Sequence, residues 1–344
     1  VDSDSKGNIY ITGTFTEPAV FGTTTLKGSN LYVAKIDTTG KHVWALAPSG
    51  TVANVKGLAS DGAGNAFLIG DAHGNVTFGL NTIKYQGNCG SDIWIAKANT
   101  NGSFGWASYV GGPKSTCDHA GGIATDGAGN IHIAGHFSTG TVSIGTKSYT
   151  AKGLMDGFVA KMDGKTGGFT WVSVFTGNSS SDSVKPRGIA VDSAKNAYVY
   201  GEFEGGVIFE KYAGETSEGG SMDVFIAKLN SSGGFLWSES AGSQAYEEAY
   251  TISIDAKGNS YLLGYCGKST KFDSIALNSG FTAQINSNGA FTWATSTKGT
   301  ALAVAKSTPY LVGAFTGTQP FGTTSLTAAG SSDIYVARLD SSTG

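Results

Sequence analysis

One unit recurs along the whole chain, and it limits what the chain can fold into. Its clearest copy runs from Gly122 to Gly177: GIATDGAGNIHIAGHF, then STGTVSIGTKSYTAKGLMD, then GFVAKMDGKTGGFTWVSVFTG. The first landmark is Asp-x-x-Gly-Asn, followed by an alternating apolar segment and a glycine. It stands at Asp4, Asp61, Asp126, Asp192 (with Lys195 in place of Gly) and Asp255, and AVAKSTPYLVG is a further copy without the Asp and Asn. The second landmark is D-x-[aromatic]-[VI]-A-K, then Asp or Asn, Gly and Trp. It spans Tyr32–Trp44, Trp94–Trp106, Phe158–Trp171 and Phe225–Trp237; Phe281–Trp293 lacks the Lys, and DIYVARLDSSTG stops before its tryptophan.

Within each copy apolar residues alternate, as in Ile131-His132-Ile133-Ala134, which is the strand signal. No stretch combines helical periodicity with caps. Each copy supplies four short segments, a to d: a is GIATD-like, b follows the Asn, c holds the Lys and d the Trp. That is the unit of a β-propeller blade, so the expected fold is all-β, a propeller of four-stranded antiparallel blades. Six blades is the first reading and seven the alternative, if the parent chain continues with another repeat. An open array is disfavoured because it leaves bare sheet edges. The period of about 50–66 residues exceeds that of common four-stranded blades. The surplus lies between b and c, where Phe21-Gly22…Leu26 and its counterparts predict an extra hairpin folded back on its own blade. The chain reads as one domain, 1–344, with repeats starting near 1, 57, 122, 188, 251 and 301. It opens at Val1 and inside a repeat, which reads as a piece of a longer chain from which a targeting segment could have been lost.

The repeated residues have structural explanations. Asp61, Asp126, Asp192 and Asp255 suit turns, where Asp accepts backbone N–H bonds and Gly tolerates positive φ. A calcium loop needs carboxylates at alternate positions, and only Asp2-Ser3-Asp4 offers two. Trp44, Trp106, Trp171, Trp237 and Trp293 are expected to fill the wedge between blades. Lys35, Lys97, Lys161, Lys228 and Arg338 are expected to form a solvated ladder with packed stems. Cys266 replaces a repeated Phe and reads as a buried free thiol. Cys89 and Cys117 fall on one face of adjacent blades, and their pairing in an oxidising compartment is one reading. No Cys/His spacing suits zinc, no nucleotide or nucleophile motif is present, and no cofactor is expected.

In an up-and-down blade the long b–c inserts and the variable d–a linkers share one face. Asp118 and His119, Asp182, Lys185, Arg187, and Glu247 with Glu248 enter strand a there and are the candidate ligand residues, next to the reading of solvated linker residues. An enzyme would need an asymmetric titratable cluster, for which His119 beside Asp118, facing Glu247 and Glu248, is the candidate.

Charged residues make up only 14% of the chain and the net charge is −3, without a basic stripe, which argues against nucleic acid and anionic membranes. No apolar run is long enough for a membrane helix. The 52 glycines and abundant Ser, Thr and Asn indicate turns and neutral hydroxyl-rich surfaces, and suggest an extracellular or cell-surface protein.

Taken together, D-x-x-GN-x-Y-x-x-G-x-F, then FG…L, then D-[IVL]-[FY]-[VI]-A-K-[LI]-[DN]-x-x-G-x-x-x-W, resembles the bacterial "SBBP" β-propeller repeats over essentially the whole chain. The resemblance implies a secreted or surface-anchored propeller of seven blades and no particular reaction. Asp163–Trp171 is also similar to the tryptophan-docking motif of pyrroloquinoline-quinone dehydrogenases, where it is structural. Those enzymes are eight-bladed and use a vicinal disulfide and calcium; this chain has no adjacent cysteines. The expected function is therefore non-enzymatic: a platform for an extracellular protein partner, adhesion or a surface assembly. The alternative is a lectin-like propeller that binds glycan.

Overall fold

The computed structural model describes residues 1–16, 18–27, 31–51, 54–85, 90–112, 117–209, 216–217 and 221–344. Among these the chain is all-β, without a helix. The second repeat shows the unit. Strand a is Asn54–Ser60, b is Ala66–Ala72, c is Asp92–Ala98 and d is Phe104–Gly111, joined antiparallel in that order. In the third repeat they are Asp118–Thr125, Asn130–Ser138, Met155–Asp163 and Phe169–Gly177, and in the fourth Ser183–Val191, Ala197–Glu204, Asp223–Leu229 and Phe235–Ala241. The a strands of successive repeats lie side by side: a Cβ on Gly122 would touch the Gly188 Cα.

The sheets of the second to fifth repeats bury both faces against their neighbours, because alternate side chains leave opposite faces. Ile93, Ile95 and Phe67 of the second repeat pack on Ile131, Ile133 and Phe137 of the third. Phe175 and Val159 of the third pack on Val199, Phe203 and Phe225 of the fourth. Val224 and Ile226 of the fourth face the fifth and are 2% and 1% exposed. Their counterparts in the sixth, Ile334 and Val336, are 78% and 71% exposed, so the outer face of that sheet is open.

The extra hairpin is present and packs on strand d of its own repeat, Phe78 on Phe104 and Gly145 against Phe169, but its backbone pairs with the preceding repeat. In the third repeat it is Thr141–Ile144 with Lys147–Thr150, and its first strand pairs with the outer strand of the second repeat through Val110↔Ile144. The same crossing occurs at Val76↔Gly50 and Thr176↔Ile208. The physical reason lies in strand d, whose outer edge would otherwise present unpaired backbone groups; the next repeat covers it and ties two sheets together.

The tryptophans tie the same neighbours. Each indole N–H donates to a carbonyl in the c–d turn of the following repeat: Trp44 to Thr100, Trp106 to Gly164, Trp171 to Ser231, Trp237 to Ser287 and Trp293 to Ser341, at 3.0–3.2 Å. Gly167 and Gly233 in these turns, at φ +75° and +88°, lie against the Trp106 and Trp171 rings, where any Cβ would meet the ring at 2.7 Å.

The Asp-x-x-Gly-Asn turns use both carboxylate oxygens. At Asp126, Oδ1 accepts from the N–H groups of Ala128 and Asn130, and Oδ2 from the Asn130 side chain at 2.8 Å. Asp4, Asp61, Asp192 and Asp255 hold their Asn partners the same way. The strand-c lysines differ from the expected solvated ladder: Lys35, Lys161 and Lys228 are buried. Lys161 pairs with Asp126 at 3.0 Å, Lys35 with Asp4 at 3.7 Å, and Lys228 donates to the Ser287 carbonyl while covering the Tyr198 ring. A carboxylate or ring beneath each ammonium offsets the cost of its burial.

Burial alone would raise the Asp126 pKa, but hydrogen bonds from Asn130, Ala128 and Lys161 outweigh it and hold it at about 2. A depressed folded pKa adds stability that is present above the unfolded value near 3.8 and lost as pH falls through about 2. The shift corresponds to about 2 kcal/mol. Asp126→Asn is therefore expected to be less stable than wild type at pH 6, with the gap shrinking by about 2 kcal/mol between pH 5 and pH 2 in urea titrations. A gap constant across that range would show that this carboxylate does not drive acid unfolding.

Candidate functional site

Every strand a after the first carries a bulge near its start. The ladder skips Lys56, Gly121, Arg187, Tyr250 and Thr300 in turn. Opposite each bulge stands the recurrent glycine of strand b: Gly70, Gly135, Gly201, Gly264 and Gly313. The glycine is required there because a Cβ would run into the strand-a carbonyl, that of Lys185 at Gly201 and of Glu248 at Gly264. A bulge re-aims the residue it inserts. In an otherwise uniform array it is the bulge residue that changes chemistry from repeat to repeat.

The residue after the strand-b glycine changes too: Thr14, Asp71, His136, Glu202, Tyr265 and Ala314. The two acids work alike. Asp71 accepts from the Ala120 N–H at 2.7 Å and Glu202 from the Ala249 N–H at 3.0 Å, each reaching into strand a of the next repeat. Their second oxygens face basic side chains. Glu202 Oε2 takes Arg187 Nη2 at 3.0 Å and Nε at 3.3 Å; Asp71 Oδ2 lies 3.3 Å from His119 Nδ1 and 4.0 Å from Lys56 Nζ. Between them His136 is buried with its ring 5.3 Å from that of His119, and its Nδ1 has no hydrogen-bond partner among the described residues. Burial first, then the cationic groups around it, push His136 well below the usual histidine range and keep it neutral. Burial and then Arg187 lower Lys185.

At the fourth to sixth repeats this edge opens into a depression of about 540 Å³ lined by Arg187, Glu248, Ala249, Tyr250 and Thr300. Three tyrosines lie within electrostatic reach of it: Tyr246, Tyr250 and Tyr265, 45%, 42% and 45% exposed. Burial, followed by the Glu248 carboxylate, raises the Tyr250 hydroxyl.

The structure therefore brings His119, Lys185, Arg187 and Glu248 to one edge and buries the other three candidates. Asp118 is buried, and its backbone N–H bonds to the Ser91 carbonyl. Asp182 accepts from the Ser179 N–H and hydroxyl and from the Gly206 N–H. Glu247 is buried and accepts from Ser243 and from the Gly267 N–H. Cys117 is disulfide-bonded, Cys266 is free and buried, and Cys89 lies outside the described residues. Lys56, Asp71, His136, Glu202 and Tyr250 were not among the candidates. The signal for Asp71, His136 and Glu202 was the variability of the residue after the strand-b glycine, and for Lys56 and Tyr250 that of the bulge position in strand a. Among the described residues no group of three or more His, Cys, Asp or Glu is arranged to hold a metal ion.

No family model matches the sequence, so the SBBP resemblance rests on the repeat motif alone. No curated protein sequence matches it either. Among solved structures the chain is similar to a protein of unknown function from Bacteroides caccae, with a TM-score of 0.43, 11% identity, and coverage of 81% of this chain and 78% of that one. It is also similar to a protein from Lactobacillus plantarum, with a TM-score of 0.38, 13% identity, and coverage of 97% and 100%. A third is the Dos1 propeller, with a TM-score of 0.38, 9% identity, and coverage of 81% and 70%.

Proposed function

We propose that the six repeats are blades of a β-propeller and that the protein is a non-enzymatic platform at the cell surface or outside the cell. It would act in adhesion or assembly, seating a partner at the depression between Arg187 and Thr300. The observation that carries this reading is the contrast within each repeat. Turns, tryptophans and core positions recur from blade to blade, whereas the bulge residues and the residues after the strand-b glycine differ in every blade. Repetition serves the scaffold, and difference is concentrated where side chains meet along the inner edge. Exposed tyrosine beside arginine is also the composition of binding hot spots. The acids that an enzyme would need free are committed: Glu202 and Asp71 both anchor the backbone of the next blade.

The test is capture from the native cell-envelope and extracellular fractions on immobilised protein. Wild type is expected to retain a defined set of partners that Tyr250→Ser with Arg187→Ser loses, while both proteins show the same strand-rich circular dichroism. Retention unchanged by the double variant would move the binding surface elsewhere. Catalytic turnover lost in the same variant would replace the platform with an enzyme.

A further inference from the structure

Resting on that seat, we infer that its ligand is an uncharged saccharide, carried by the partner as a glycan. Three observations point to this class.

The first is charge. Arg187 is held by Glu202, Lys185 lies in the field of Glu202 and Glu204, and Glu248 stands beside Tyr250. An anion entering the depression meets those carboxylates, and a cation meets Arg187 and Lys185. The lining itself carries one charge of each sign, Arg187 and Glu248, so neither kind of ion meets a cluster of its opposite there, and a neutral ligand escapes the like-charge penalty that either ion carries.

The second is the tyrosines. Tyr10, Tyr198, Tyr200 and Tyr261 are fully buried and belong to the repeat's core. Tyr250 lines the depression, and Tyr246 and Tyr265, which lie within electrostatic reach of it, likewise leave nearly half their surface in water. A phenol ring offers an apolar face and a polar tip. That pairing matches a sugar ring, whose C–H face stacks while its hydroxyls bond at the edge.

The third is the hydrogen-bonding inventory. Two of the guanidinium's five N–H donors are spent on Glu202, which fixes its plane, and three remain. Glu248 supplies acceptors, and the Thr300 hydroxyl, whose proton goes to the Val312 carbonyl, supplies another. Adjacent sugar hydroxyls need a donor and an acceptor close together, and Arg187 with Glu248 provides that pair. The volume, about 540 Å³, suits one or two sugar rings, and the open shape implies weak single-site affinity that several copies would strengthen.

A glycan array presenting neutral and acidic oligosaccharides gives the first readout. Binding to neutral glycans is expected, unchanged between 50 and 500 mM salt, with Tyr250→Ser weakening a hit at least tenfold in saturation-transfer NMR. Thr300→Val, which removes only a hydroxyl, serves as the milder second variant. Binding confined to sulfated or uronic-acid glycans, or neutral binding that Tyr250→Ser leaves intact, would overturn the inference. The capture experiment separates this failure from that of the platform itself. Partners lost after periodate oxidation of their glycans support the saccharide. Partners that resist periodate yet depend on Tyr250 overturn the saccharide and keep the platform; partners that depend on neither overturn both.

Discussion

Gly201→Ala will destabilise the protein by about 3 kcal/mol, the upper end of overpacking costs, and will disable the seat. General expectation has the opposite sign, since glycine inside a strand usually costs about 0.5–1 kcal/mol relative to alanine. Here the added Cβ would collide with the Lys185 carbonyl and stand 2.7 Å from the Pro186 Cα and 2.9 Å from the Phe225 ring. Two of those three are backbone, and Pro186 lies directly opposite Gly201 in the ladder. Relief therefore requires strand a to move off strand b where it bulges, which carries Arg187 away from Glu202. Urea midpoints measure the first effect and partner capture the second. Gly330→Ala is the control, because a Cβ there meets nothing within 4 Å. A Gly201→Ala protein as stable as wild type, with capture intact, would show that the glycine does not enforce the bulge.

The same bulge explains how much of the molecule was legible in its sequence. Four strands per repeat were readable because alternation and turn residues are local signals. The expected repeat starts at 57, 122, 188, 251 and 301 are the residues just after each bulge. The strands begin earlier, at Asn54, Asp118, Ser183, Glu248 and Gly299, because an inserted residue shifts the inside–outside pattern and makes the first residues look like linker. The candidate residues were therefore placed near the right edge but read as loop. Charge alone did not separate Arg187, which faces the depression, from Glu247, which holds a loop. That difference is burial and partner choice, set by residues far away in sequence. Glu202 and Asp71 were hidden differently: each sits inside a regular strand and acts on the next repeat, a contact that no local pattern encodes. The hairpin's crossing to the preceding sheet and the burial of Lys161 follow the same rule, since both depend on what the neighbouring repeat or turn presents.

His132→Tyr is expected to stabilise the protein, and the gain should grow as the medium becomes acid. The position holds Tyr10, Phe67, Tyr198 and Tyr261 in other repeats, and only here a histidine. His132 is fully buried, 5.7 Å from the Trp171 ring, and neither ring nitrogen has a hydrogen-bond partner among the described residues. Tyr10 and Tyr198 reach the turn Asp of their own repeats at 3.0 and 3.2 Å, while Lys35 and Lys228 cover their rings. Tyrosine at 132 would thus bring a bond to Asp126 and a ring beneath Lys161, where histidine leaves two polar atoms unsatisfied at about 1–3 kcal/mol. Burial first, then Lys161, lowers the His132 pKa from 6.5 to about 4. Because the folded value is depressed, the unfolded chain takes up its proton first as pH falls. Folding then loses about 2 kcal/mol by pH 5 and about 3 kcal/mol by pH 4 through this one group, relative to pH above 7. His136, buried and neutral in the same way, keeps its own acid sensitivity in both proteins, so the difference between variant and wild type isolates His132. Urea titrations at pH 7.5 and pH 5 are expected to show that difference widening by about 2 kcal/mol. A difference that is the same at both values would mean that this imidazole does not titrate on unfolding, and a variant less stable than wild type at both would mean that the pocket of the third repeat has diverged in shape as well as in chemistry.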